Sequence, residues 1–254
     1  MTPDRAGGNG ASSSSAGPSV PSPLHVELPD GLRLQVRRVD ARDGERLVAG
    51  FARLSQKSRV QRFQHVVDEL DEEQVRLFTD VDQTDHLAWV ALDRDDPDHP
   101  GAGVVRAIRM QDDPTAAEIA LTVADDLHGR GVGTLLLAVI AVDAGAHDVE
   151  VLRSWVLEDN RVMLDILHQL GARIEHDAFD VAQVDQPVVT DPDELPDTTV
   201  GRVTRQLLQH LVDRPDGPLR IGDHGDAPPA PPRRSRQERG GLRDWLDAEM
   251  PDSP

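Results

Sequence analysis

The 254-residue chain contains no cysteine and no tyrosine, and Lys57 is its single lysine among 27 basic residues. Without cysteine there is no disulfide and no thiol nucleophile. Without tyrosine no phenol is available as a proton donor. No apolar run approaches the roughly 20 residues of a membrane-spanning helix, and the N-terminus has no hydrophobic signal core. These absences lead us to expect a cytoplasmic protein with no membrane partner. Positive charge is scarce as well: 46 acidic residues give a net charge of −19, which argues against nucleic acid as a general partner. The near-exclusive use of arginine, alongside abundant Ala, Asp, Gly, Val and Pro, points to a GC-rich genome rather than to a function.

Both ends are poor core material. Residues 1–24 are rich in Ser, Gly, Pro and Ala, and residues 216–254 include a Pro/Arg-rich stretch with Arg233, Arg234, Arg236 and Arg239. Neither end has apolar periodicity, so each is expected to be a disordered tail. Residues 25–215 remain for one folded domain with a sizeable core.

Within that domain the patterning predicts a strand over Leu32–Val39, an amphipathic helix over Glu45–Leu54, a helical turn over Ser58–Gln64 and a helix over Asp71–Phe78. Strands are expected at His86–Leu92, Gly103–Met110 and Ala117–Val123, then a helix to about Ala144 and a strand at Val149–Leu157. A helix over Asn160–Leu170, strands at Ala172–Phe179 and Gln183–Val189 and a closing helix over Arg202–Val212 complete the order.

The most informative segment runs from Ala116 to Leu137. A strand ends at Val123, and H-G-R-G-V-G (His128 to Gly133) then opens an apolar helix. Gly129, Gly131 and Gly133 let the backbone approach a ligand and turn sharply. The helix start offers unpaired N–H groups and the positive end of a dipole, so it suits a pyrophosphate, with Arg130 able to add charge. No lysine follows the glycines, as a nucleoside-triphosphate loop would require, and the segment lies mid-chain rather than after a first strand, as a dinucleotide fold would require. If Ile119 and Leu121 face the core, Glu118, Ala120 and Thr122 share the opposite face. Glu118 is then either a solvated surface carboxylate or a base beside the ligand.

Val123 to Gly133 resembles the acyl-CoA-binding signature of the GNAT superfamily of N-acetyltransferases, with His128 at its usual Gln/Arg position. Leu54–Phe63 and Phe78–Ala91 resemble the bacterial Pat-like protein-lysine acetyltransferases, and Glu158–Ala172 resembles the superfamily's asparagine-bearing segment. The resemblance implies an α/β (α+β) GNAT fold: a mixed, mostly antiparallel, splayed sheet flanked by helices in the order β-α-α-β-β-β-α-β-α-β-β.

It further implies acetyl-CoA as co-substrate, no metal, and an amine acceptor, either a protein lysine or a small molecule. Glu118 would be the general base. Backbone groups at Leu121, Thr122 and Val123 would hold the acyl end, with N–H groups near Thr122 and Val123, freed by a bulge in relatives, polarising the thioester. His128, Gly129, Arg130, Gly131, Val132, Gly133 and Thr134 would hold the pyrophosphate. Asn160 would contact the pantetheine arm, although it is also an ordinary helix cap. Arg59, Arg62 and Phe63 would line the acceptor side. Many family members carry a tyrosine seven residues beyond the asparagine to protonate the thiolate; here that position is Leu167. That departure keeps open a non-catalytic acyl-CoA-binding module, for which Glu118 and the intact glycine loop are the counter-arguments.

Overall fold

The structure is a computed structural model and describes residues 19–96, 101–176, 180–213 and 217–222. The chain opens with β1 (Leu24–Glu27) and β2 (Arg33–Arg38). Three helices follow: α1 (Gly44–Ala52), α2 (Gln56–Phe63) and α3 (Glu72–Thr79). Then come β3 (His86–Asp93), β4 (Gly103–Arg109), β5 (Ala116–Val123), α4 (Val132–Gly145) and β6 (Val151–Leu157). The remaining elements are α5 (Arg161–Gln169), β7 (Arg173–His176), β8 (Val181–Pro187), α6 (Thr199–Asp213) and β9 (Leu219–Arg220).

The strands form one sheet of nine in the order β7-β8-β6-β5-β4-β3-β2-β1-β9. All pairs are antiparallel except β5 with β6 and β1 with β9. The open, mixed, mostly antiparallel sheet is the one that the resemblance implies.

The β5–β6 pairing is the feature that positions the site. It joins Ala116–Glu118 to Val151–Arg153 and then stops, while β5 runs on to Val123 and β6 to Leu157. The two parallel strands therefore splay apart toward their C-terminal ends. Because they are parallel, the turn after β5 and the start of α5 after β6 lie at the same end of the sheet, on opposite sides of that cleft.

Two faces follow from the period of two. Leu87, Trp89, Val105, Ala107 and Ile119 point into the main core with α4. That helix is apolar all round because the sheet covers one side and α6 another; Leu135, Leu136, Val139 and Ile140 are fully buried. The other face carries Val90, Val104, Arg106, Glu118 and Thr122.

The folded sheet extends beyond both expected boundaries. Val20 and Leu24 are buried ahead of position 25, and beyond 215 β9 pairs with β1 and Ile221 after it is buried. Strands as short as β1 and β9 carry almost no periodic signal and owe their place to each other and to β2. The expected turn over Ser58–Gln64 is a full helix with Ser55 as its cap, accepting from the Ser58 N–H at 3.2 Å. The strand expected over Ala172–Phe179 is β7; its last three positions, residues 1–18 and the Pro/Arg-rich tail lie outside the described residues.

Candidate active site

Between β5 and α4 the chain makes a short turn, Asp125–Leu127, and then the glycine loop. Gly129 and Gly131 have φ of +73° and +88°, a left-handed backbone that side chains disfavour, and this is why glycine stands there. Gly131 is the N-cap of α4 and has no side chain to cap it. The first intrahelical bond runs from the Leu135 N–H to the Gly131 carbonyl at 2.9 Å. The amides of Val132, Gly133 and Thr134 are thus left without an intrahelical acceptor at the positive end of a 14-residue helix.

The turn is bound to the helices on the other side of the sheet. Asp125 accepts from the Ser55 N–H at 2.8 Å and from the Ser58 hydroxyl at 2.6 Å, and Arg53 meets Asp126 at 3.1 Å. Burial works against the Asp125 charge, but the bonds from Ser58 and Ser55 outweigh it and hold the carboxyl below its ordinary value. The glycine loop and α2 are therefore fixed to one another.

Hydrogen-bond parity sorts the backbone of β5. Ala124 donates to the Ala102 carbonyl and the Ala116 carbonyl accepts from Met110, so the even-numbered residues turn toward β4. The β4–β5 register runs unbroken from Gly103↔Val123 to Arg109↔Ala117. No bulge interrupts these pairs, and the expected donor at Thr122 is directed at β4. Leu121 and Val123 face the cleft instead. On the far wall the Trp155 carbonyl faces it too and accepts from the Gln64 side chain at 2.9 Å, which ties the end of α2 across the cleft.

The side chains named from the sequence separate into those that face the cleft and those engaged elsewhere. Glu118 is exposed, as expected, on the face of α1–α3, opposite Ile108 on β4 and Arg153 on β6. His128 folds back, with Nε2 on the Val123 carbonyl at 3.0 Å. Arg130 departs from expectation: its guanidinium is buried in an ion pair with Asp30 in the β1–β2 turn, leaving only its backbone to face a ligand. Arg59 departs too. It donates to the carbonyls of Leu54, Ala52 and Asp68 and stacks on Phe51, so its donors bind α1 to the segment after α2, although it also borders a cavity with Val60 and Val66. Asn160 caps α5, its Oδ1 accepting from the Met163 N–H at 3.4 Å, while among the described residues nothing accepts from its Nδ2.

Arg62 and Phe63, in the last turn of α2, direct their side chains beneath the helices. Phe63 packs against Phe51 and Phe78, with centroids 5.7 and 6.3 Å apart. The Arg62 guanidinium sits over the rings of Phe63 and Phe78 at 4.9 and 5.9 Å. Burial pushes its pKa down, and the charge of Glu118 acts in the opposite direction.

Two residues stand beside them: Arg106, which the sequence reading does not single out, and His86, which as an isolated histidine reads as a surface or loop residue but lies half-buried at the start of β3. Arg106 is 4% exposed, stacks on Phe78 at 4.4 Å, and its Nη1 meets the Phe78 carbonyl at 3.3 Å and His86 Nε2 at 3.2 Å. The signal was present: Arg106 is a lone cation in G-V-V-R-A-I, in phase with the face that carries Glu118.

Burial, then the charge of Arg106, push the His86 pKa down to about 4, against a smaller pull from Asp82. The unfolded chain thus takes up a proton near pH 6.5 that the folded chain refuses until about 4. Stability is expected to fall on acidification through that window, above the range in which Asp40, Asp43 and Asp185 add their own losses. Urea denaturation between pH 7 and 4.5 should show this slope. His86→Gln, which still accepts from Arg106, should flatten it; an unchanged slope would assign it to other groups.

Residues 33–173 match the family described as Acetyltransferase (GNAT) domain. The chain is 33% identical over 151 residues to Acetyltransferase Pat of Mycolicibacterium smegmatis, covering 59% of this chain and 44% of that protein. It thus spans less than half the length of that relative. It is 30% identical over 175 residues to Acetyltransferase PA5475 of Pseudomonas aeruginosa, covering 68% of this chain and 94% of the other. Among solved structures, the GNAT domain of S. lividans PAT superposes with a TM-score of 0.60 at 26% identity, over 65% of this chain and 96% of that one.

Proposed function

Since the chain belongs to the GNAT acetyltransferase family, we propose that it transfers an acetyl group from acetyl-CoA to the side-chain amine of a protein lysine, with Glu118 as the general base. The observation that carries this reading is the splay of β5 from β6 beyond Glu118, which sets an exposed carboxylate beside a cleft lined by unpaired backbone donors.

The residues present fit a long ligand with a diphosphate at one end. The amides of Val132, Gly133 and Thr134 would take the diphosphate, and Asn160 Nδ2 would donate to the arm from the opposite wall. The co-substrate supplies an activated acyl carbon and a leaving thiolate. Leu121 and Val123 would direct their N–H groups at the oxyanion that develops. Lysine has a reference pKa of about 10.4, so its amine must lose a proton before it attacks, and Glu118 would accept that proton directly or through water. Leu167 can give no proton to the thiolate, which leaves as a stable anion or takes its proton from another donor or water.

The acceptor assignment is supported by the Pat-like segments over Leu54–Phe63 and Phe78–Ala91 and by the acidic surface, which would attract a cationic segment. Thiol release from acetyl-CoA, measured with lysine-bearing proteins, polyamines, amino acids and aminoglycosides, tests it. Proteins should be preferred. A preference for a small amine would move the acceptor class, and no release with any acceptor would favour a binding module.

A further inference from the structure

Beneath α1, α2 and α3, on the face of the sheet that carries Glu118, lies a cavity of about 90 Å³. Its walls include Phe63, Phe78, Val90 and Val104, yet Arg62 and Arg106 line it as well. Arg46 lines it too but is paired with Asp43; an apolar pocket holding two further cations is electrostatically incomplete, because a buried charge is strongly unfavourable unless it is paired.

Among the described residues neither arginine forms an ion pair. The hydrogen bonds of Arg106 go through Nη1 to a carbonyl and to His86 Nε2, an acceptor only while that ring is neutral. Nothing described accepts from its Nε or Nη2. Asp43 also borders the cavity, but Arg37 at 2.7 Å and Arg46 at 2.9 Å already match it. Glu118 influences Arg62 from beyond ion-pair distance. The site therefore carries excess positive charge facing open space.

We propose that this cavity receives the free carboxylate of a short carbon chain attached at the reacting centre, with Arg106 as its principal partner and Arg62 as the second charge. The inference rests on the acyl-transfer reading above. A planar carboxylate matches a guanidinium edge, and the apolar walls match its methylenes. The cavity has room for about three waters, or for a carboxylate with two or three carbons. Its location also fits. Thr122 borders it and lies between the cleft-facing Leu121 and Val123, while Arg106 stands opposite Ala120, about 7 Å away along the strand.

The chain can come from either reactant: the acyl group of a dicarboxylic acid monothioester, or an acceptor that carries a carboxylate beside its amine. In either case the C–N bond forms as the C–S bond breaks, the amine proton goes to the base, the electron pair leaves on sulfur, and the carboxylate is a spectator.

Calorimetry on the full chain separates the sources. Succinyl-CoA is compared with butyryl-CoA, and, in the presence of coenzyme A, 4-aminobutyrate with butylamine. One pair should favour its carboxylate member by about tenfold or more, as a charge-assisted contact does. The favoured pair identifies the source. Arg106→Gln should bring that ratio near one, and Arg62→Gln, at a position lining the same cavity, should lower it partway. Equal affinities in both pairs, or a ratio that survives in both variants, would overturn the proposal. Binding is read without turnover, so the same ratio in Glu118→Gln separates failure of this site from failure of the catalytic reading.

Discussion

Glu118→Gln is expected to lower kcat/KM for the amine acceptor by about 10²–10⁴ at neutral pH while leaving acetyl-CoA affinity unchanged. The glutamine keeps the shape of the side chain and removes only its capacity to take a proton. Glu118 is exposed and outside every ion pair among the described residues, so the fold loses little with it. The proposed contacts to the co-substrate are backbone amides on β5 and α4 together with Asn160, none of which the substitution touches. The deficit should also shrink as pH rises toward the acceptor's own pKa, because the amine then sheds its proton unaided. A merely structural glutamate would produce a deficit indifferent to pH. Steady-state thiol release from pH 7 to 10, with calorimetry of acetyl-CoA binding, reads both effects. Wild-type rates in the variant at pH 7 would remove Glu118 as the base.

Much of this arrangement was legible in the sequence because its determinants are local. A glycine in left-handed backbone, a strand with period-two alternation and a helix apolar on every side each declare themselves within a dozen residues. Glu118 could be placed on the correct face by counting from Ile119 alone. What escaped depends on partners distant in the chain. Arg130 looked like a phosphate contact until Asp30, 100 residues away, was found to hold it. The donors of Arg59 are taken by three carbonyls, two of them in or just after α1, which its local sequence does not announce. A single arginine in a strand is usually solvated, and only the cap formed by α1–α3 encloses Arg106. Of the two expected cleft-facing donors, Val123 stands and Thr122 gives way to Leu121, because strand polarity is settled by pairing with β4 rather than by composition.

Asp143→Ala is expected to have the largest effect on stability, about 3 kcal/mol or more. Asp143 is the one acidic residue of α4 and is fully buried. Its Oδ1 accepts from Arg38 Nη2 on β2 and its Oδ2 from Trp89 Nε1 on β3, each at 2.8 Å. Arg38 also lies over the Trp89 ring at 4.9 Å, so a single carboxylate joins the main helix to two strands. Removing it leaves a buried indole N–H without an acceptor and a mostly buried cation without its counter-charge, and opens a small void besides. The Arg38 side chain is 25% exposed and regains some hydration, which places the loss at the lower end of the range for broken buried pairs. Asp143→Asn, which can still accept from one partner, should cost less. Trp89→Phe in the alanine background should add less than it does alone, because the N–H it removes is already unpaired. For a domain of this size the alanine variant's Tm should fall by about 6–12 °C. A shift within 2 °C would mean that water replaces the carboxylate without penalty. Position 143 is about three turns from the glycine loop. The KM for acetyl-CoA, measured well below the new Tm, should therefore stay within about twofold of the wild type, separating what holds α4 against the sheet from what its first turn binds.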